Sequence, residues 1–178
     1  MDFKESRTFA NLMAAFAGES QARNKYTFYA EKAKEDGYFQ IADLFEETAK
    51  NERAHAKIWF EYIQGGKNPT EDNLKDAAGG EHYEWTEMYA EFQKVAKEEG
   101  YNEIAALFGL VANIEKEHEK RFTKLKENIE NGSVFSKNEE TVWICMNCGH
   151  IAVGKKPPLV CAVCKYPQSH FKQKETNY

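Results

Sequence analysis

A chain of 178 residues, 42% hydrophobic and 13% aromatic, has enough apolar material for a core, and its length suits one domain or one with a small companion. The formal charge of −5 at pH 7 excludes a broad nucleic-acid-binding surface, and no apolar run approaches the roughly 18 residues that cross a bilayer. The best candidate for an export signal, Leu12 to Ala17, is short and lies between Glu5 and Glu19, so the cytoplasm is the expected location.

Phe9, Leu12, Met13, Phe16, Tyr26, Ala30 and Ala33 recur at helical spacing, predicting a first helix from near the start to about Glu35, stopped by Asp36-Gly37. Ile41, Leu44, Phe45, Thr48, Trp59 and Tyr62 mark a second, ending at Gly65-Gly66. Residues 65 to 80 hold Pro69 and four glycines, which predicts a long connection in which Thr70 caps a short helix. A third helix is expected from about Glu81 to Glu99, with Trp85, Met88, Phe92 and Val95 inward. The fourth carries Ile104, Leu107, Phe108, Val111, Phe122 and Leu125 and ends at Asn131-Gly132. Helices of nearly 30 residues are about 45 Å long, which suits a bundle. Beyond them periodicity stops: 133 to 140 reads as a polar linker, and 141 to 178 holds all four cysteines, Pro157-Pro158 and Pro167. So small a segment needs a metal or disulfides to fold.

An internal repeat runs through the helices. Glu35-Asp36-Gly37-Tyr38 with Ile41-Ala42 and Leu44-Phe45 matches Glu98-Glu99-Gly100-Tyr101 with Ile104-Ala105 and Leu107-Phe108, at an offset of 63 residues that also carries Glu52 onto Glu115 and His55 onto His118. Two helical hairpins joined by a long crossover is the ferritin-like plan. The expected fold is therefore mainly α: a ferritin-like four-helix bundle over 1–132, the linker, and a small metal-binding domain over 141–178.

Glu52 and His55, like Glu115 and His118, stand three residues apart and project from one helix face. Two Glu-x-x-His helices, each partnered by a helix donating a glutamate, form the pattern of a dinuclear carboxylate site. Glu19 lies on the apolar stripe of the first helix, and Glu84 with Glu81 on that of the third. Five inward carboxylates with two imidazoles call for compensating cations, because uncompensated buried charge costs several kcal/mol per ion. These donors suit iron, manganese or zinc. The repeat carries Glu19 onto His82 and not onto Glu81 or Glu84, so the third helix must be shifted or supply ligands differently; His82 itself is expected to be exposed or beside the ligands.

Cys145-Met146-Asn147-Cys148 and Cys161-Ala162-Val163-Cys164 are two knuckles separated by twelve residues. Four thiolates so spaced form a tetrahedral sulfur site for zinc or a single iron. Disulfides are the alternative, disfavoured without an export signal. His150 and His170 are not needed as ligands.

Ala17-Gly18-Glu19-Ser20-Gln21-Ala22, Asn51-Glu52-Arg53-Ala54-His55, Gly80-Glu81-His82-Tyr83-Glu84, Glu115-Lys116-Glu117-His118 and Pro167-Gln168-Ser169-His170-Phe171 together resemble the rubrerythrin family, over nearly the whole chain. The resemblance implies a di-iron site on Glu19, Glu52, Glu81, Glu84, Glu115 and His118. His55 matches a ligand that exchanges with a carboxylate as the redox state changes, and Glu81 is implied to be the additional glutamate characteristic of the family. It also implies one iron on Cys145, Cys148, Cys161 and Cys164, where zinc fits as well. Ala162 stands where a proline is common, and Lys165 where free-standing rubredoxins usually have glycine.

The implied function is a peroxidase reducing hydrogen peroxide to water, with electrons relayed through the cysteine-bound iron from an external donor such as a reduced rubredoxin or an NAD(P)H-linked reductase. Protons are expected from the glutamates or from inward tyrosines such as Tyr26. A homodimer is implied, with no nucleic-acid or membrane partner. A ferroxidase or oxygen reductase is the enzymatic alternative. An iron-binding or storage protein with a zinc-held tail is the non-enzymatic one.

Overall fold

A computed structural model describes residues 2–175; Met1 and residues 176–178, the outer ends of the two expected domains, lie outside the described residues. The chain is mainly helical with a small stranded module at its C-terminal end, and it divides into two compact units, Met1–Asn68 and Pro69–Tyr178.

The first unit is a helical hairpin. α1 (Arg7–Glu35) begins where the Ser6 side chain accepts from the Phe9 N–H, and α2 (Phe39–Gln64) follows after a three-residue turn. In that turn Gly37 takes φ +83° and Tyr38 N–H reaches back to Ala33 O at 2.8 Å. Such a left-handed closure favours glycine, which has no Cβ to clash. The second unit repeats it between α4 (Tyr89–Glu98) and α5 (Asn102–Glu130): Gly100 has φ +86°, and Tyr101 N–H meets Ala96 O at 2.8 Å.

Packing follows the same repeat. Ala33 and Ala42 are buried in the first hairpin, and their counterparts Ala96 and Ala105 in the second. Tyr26, Tyr29 and Phe45 form a ring cluster with centroid separations of 6.3, 6.1 and 5.6 Å. Tyr89, Phe92 and Phe108 form its equivalent at 6.2, 5.9 and 5.6 Å. The buried helical residues are all alanines, whereas several large stripe residues expected inward are exposed, among them Ile41, Leu44, Phe92, Val95, Ile104 and Leu107. Small side chains let the two helices of each hairpin approach closely, and the larger ones stand on a face that the hairpin does not cover itself.

The expected long connection is much shorter. α3 (Thr70–Tyr83) starts directly after Pro69, with Glu71 and Asp72 in its first turn, and continues through a π turn (Glu84–Met88) into α4. Thr70 is the first helical residue and caps nothing through its side chain. Gly79 and Gly80 sit inside the helix, where each costs only about 1 kcal/mol relative to alanine.

The C-terminal module is a three-stranded antiparallel sheet of order β2-β1-β3, with β1 (Thr141–Cys145) between β2 (Ile151–Gly154) and β3 (Phe171–Gln173). Trp143, Cys145, Cys161 and Phe171 form its core, and Trp143 Nε1 donates to Gly154 O at 2.9 Å. Residues 133 to 140 contain no helix or strand, and Lys137 N–H donates to Lys155 O.

Candidate metal centres

The structure gathers the helical ligand candidates into two groups, one per unit. Glu19 of α1 with Glu52 and His55 of α2 offer donor atoms all within 4.8 Å of one another, and so do Glu81 of α3 with Glu115 and His118 of α5. His55 Nδ1 is 2.9 Å from Glu52 Oε2 and 3.8 Å from Glu19 Oε1. His118 Nδ1 is 2.7 Å from Glu115 Oε2 and 3.7 Å from Glu81 Oε2. Both trios thus have one geometry. Glu84 stands outside both groups, although it is close enough to Glu81 to raise its pKa.

The π turn explains why Glu19 fell one residue out of register. Tyr89 N–H donates to Glu84 O, five residues back, so this turn holds one residue more than an α turn. Beyond it the repeat offset is 63; before it the offset drops by one to 62, which carries Glu19 onto Glu81. Glu81 is therefore the counterpart of Glu19, and Glu84 is the glutamate without a partner in the first hairpin. The resemblance implies Glu81 as the addition, whereas register within the repeat alone gives Glu84 that place. A single inserted residue leaves little trace in apolar periodicity, because the stripe resumes in phase within a turn.

Charge crowding favours a cation in each trio. Glu19 has a raised pKa because its carboxyl is hydrogen-bonded to the Glu52 carboxyl and partly desolvated, with His55 and Trp59 opposing. Glu81 is raised by burial and by the negative charge of Glu115. The buried Trp59 indole N–H faces the Glu19 carboxyl without closing to a full hydrogen bond. Oxygen-rich sets with one imidazole suit iron or manganese, and zinc is chemically admissible. Tyr89, which the sequence reading did not single out, is raised by burial and by Glu84 and Glu115, so its hydroxyl keeps its proton beside the carboxylates. The repeat counterpart of Tyr26 was the signal that pointed to it. His82 is exposed and pairs with Glu119 at 3.1 Å, with Trp85 Nε1 donating to the same carboxylate at 2.5 Å, so it belongs to neither trio.

In the C-terminal module Cys145, Cys148, Cys161 and Cys164 also lie within 4.8 Å of one another, with Sγ–Sγ distances of 3.6 Å (Cys145–Cys164) and 3.7 Å (Cys148–Cys161). All four are free thiols. The two knuckles are built alike: Gly149 N–H donates to Cys145 O at 2.9 Å, and Lys165 N–H to Cys161 O at 3.0 Å. Gly149 has φ +77° and Lys165 φ +63°. Backbone N–H groups of His150 and Tyr166 point at the sulfurs of Cys148 and Cys164. Tyr166, helped by Asn147, lowers Cys164 to about 6, whereas at Cys148 burial and the neighbouring thiols outweigh the His150 N–H and push it up to about 12. Four crowded sulfurs cannot all ionise without a cation among them, so this set fits a tetrahedral iron or zinc. The His170 ring packs against Tyr166 at 4.5 Å, and the ring of neither His170 nor His150 is among the grouped donors.

The family model described as Rubrerythrin matches residues 10–126, and that described as Rubrerythrin, rubredoxin-like domain matches 143–172. Rubrerythrin of Porphyromonas gingivalis is 46% identical over 187 residues, covering 98% of this chain and 94% of that protein. Rubrerythrin-1 of Clostridium acetobutylicum is 48% identical over 191 residues, covering 98% of each. A solved structure described as the partially reduced state of nigerythrin is 30% identical, covers 95% of this chain and 87% of that one, and has a TM-score of 0.37. Matches of this extent reach through the helices and the thiolate module alike, and the chain belongs to the rubrerythrin family, di-iron oxidoreductases of oxidative-stress defence.

Proposed function

We propose that this protein is a peroxidase that reduces hydrogen peroxide to water. The bundle, 1–132, does the chemistry on a dinuclear iron site drawn from Glu19, Glu52, His55, Glu81, Glu84, Glu115 and His118. The module over 141–178 passes electrons from an external donor through one iron on Cys145, Cys148, Cys161 and Cys164, with 133–140 as the linker. The observation that carries this reading is the presence in one chain of two distinct donor sets: carboxylate with imidazole, which suits ions that bind oxygen, and four thiolates, which suit electron transfer.

Bound as a ferrous pair, iron held by these carboxylates and imidazoles would supply the two electrons that peroxide reduction consumes, and one iron held by the four thiolates would supply electrons singly. The chain does the rest. Glu19, Glu52 and His55 in the first hairpin, and Glu81, Glu115 and His118 in the second, would hold the ions and so position the peroxide. Each turnover takes up two protons to release two water molecules, and Tyr89 holds an O–H beside Glu84 and Glu115 from which one can be passed. N–H groups on the cysteine sulfurs stabilise thiolate charge in the relay.

Cys161→Ala is expected to stop turnover driven by an external reductant, while a bundle reduced beforehand is still oxidised by peroxide. Undiminished turnover in that variant would remove the relay from the mechanism. Metal analysis should find about three irons per chain, and zinc on the thiolates of protein from its own host would argue against electron relay.

A further inference from the structure

α5 grips the preceding chain at two places around the π turn (Glu84–Met88). At the start of the turn the Glu119 carboxylate takes two side chains: His82 Nδ1 lies 3.1 Å from Oε1, and Trp85 Nε1 donates to Oε2 at 2.5 Å. A carboxylate only accepts, so His82 carries its hydrogen on Nδ1. The His82 and Trp85 rings meet edge to face at 5.5 Å, and the Lys116 ammonium lies 4.9 Å from the Trp85 ring centroid. The Glu119 side chain is only 26% exposed, so bonds to its charge are stronger than on open surface. Beyond the turn, Gln93 Nε2 donates to Ala105 O at 3.0 Å. It does so through space that Gly109 leaves open, where a Cβ would collide with the Gln93 amide.

The first hairpin has neither grip and no extra residue. Ala56 stands where the repeat puts Glu119, and Ala30 where it puts Gln93; both alanines are buried. Ser20 is the counterpart of His82, and its hydroxyl donates within its own helix, to Phe16 O at 2.7 Å. α1 runs unbroken from Arg7 to Glu35. The two grips and the π turn thus occur together, in one hairpin. Relaxation of the π turn to plain α-helix would rotate the chain before it by about 100°, the angle of one residue. That rotation takes His82 off Glu119 and Glu81 off His118 at once, because the two cross-helix pairs are made by consecutive residues on both helices.

We propose that Glu119 and Gln93 are positioning residues: they pin the chain to α5 on either side of the π turn, trap the extra residue between them, and so keep Glu81 facing His118. Neither belongs to the ligand trio, and each acts through the register of the helix that carries Glu81. The consequence for metal rests on the function proposed above; the trapping of the turn does not.

Glu119→Ala and Gln93→Ala install the residues of the first hairpin, and alanine is the best helix former, so neither change weakens the helix by propensity. In metal-free full-length protein, deuterium exchange of the amides of residues 85–89 should quicken about tenfold in each variant, with α1 and α2 unchanged. Unchanged exchange at 85–89 in either variant overturns the paired grip. Trp85→Phe keeps a ring beside Lys116 and removes only the N–H; it should act in the same direction and add little to Glu119→Ala, because both break one contact. Fully additive effects count against the contact. Titration of the same proteins with cobalt(II) then reads the metal consequence, with the thiolate-to-cobalt absorption as an internal control. Affinity at the cysteines should stay as in wild type, and affinity in the helices should fall about tenfold. Faster exchange with undiminished affinity in the helices overturns the positioning of Glu81. If the wild-type helices take up neither cobalt(II) nor ferrous iron while exchange responds as expected, the dinuclear reading fails and the trapping of the turn stands.

Discussion

Lys165 shows how one side chain can work against its backbone. Its φ of +63° is left-handed, while its counterpart in the other knuckle is Gly149, and its ammonium is tied to Ala162 O at 3.0 Å. A left-handed non-glycine residue costs about 1–2 kcal/mol, partly offset by the larger unfolded-state entropy of glycine. Lys165→Gly should therefore stabilise the metal-loaded module by roughly 0.5–1 kcal/mol, read as slower loss of metal to a chelator during thermal unfolding. Tyr89 makes the other prediction at this scale. Tyr89→Phe removes the O–H beside Glu84 and Glu115 without removing a ligand. Peroxide turnover should fall about tenfold or more with metal content unchanged.

At the level of elements, the π turn is the feature on which the second trio depends. Deleting Thr86 should restore a plain α-helix and turn Glu81 by about 100° away from Glu115 and His118, since each residue advances an α-helix by that angle. Circular dichroism should stay helical while bundle metal is lost. The hairpin of α1 and α2 has a separate pH signature. Lys34 hydrogen-bonds Glu46 across the two helices, holding Glu46 below the usual carboxylate range and raising Lys34. The Glu46 contribution is complete above the ordinary glutamate value of about 4.3 and disappears as pH falls through the lowered folded value. That of Lys34 is complete below about 10.4 and disappears as pH rises through the raised one. Glu46→Gln should thus unfold at a lower temperature than wild type at pH 7, and the two should converge in acid. The pair is partly exposed and the difference should be small, and smaller still at high salt.

For the whole molecule, metal binding and folding are linked, because whatever binds only the folded state stabilises it. Ferrous iron should raise the midpoint of thermal unfolding of the helices; circular dichroism melts with and without the metal check this. Among the described residues no helix is long and apolar enough to cross a membrane. Much of this was legible in the amino-acid sequence. Helix spans, the two Gly-closed turns at Gly37 and Gly100, the paired Glu-x-x-His motifs and the two cysteine knuckles all depend on residues a few positions apart, and local spacing dictates their geometry. Gly79-Gly80 misled because glycine marks a break only when nothing else holds the helix, whereas here α3 runs through it against α5. The tertiary structure decided what spacing could not. A one-residue insertion became a π turn that put Glu81 in register with Glu19 and left Glu84 without a counterpart in the repeat, because hydrogen bonding along the backbone absorbs the extra residue. It also decided that alanines fill each hairpin while Ile41, Leu44, Ile104 and Leu107 stay uncovered, because coverage depends on which helix lies opposite and not on the stripe itself.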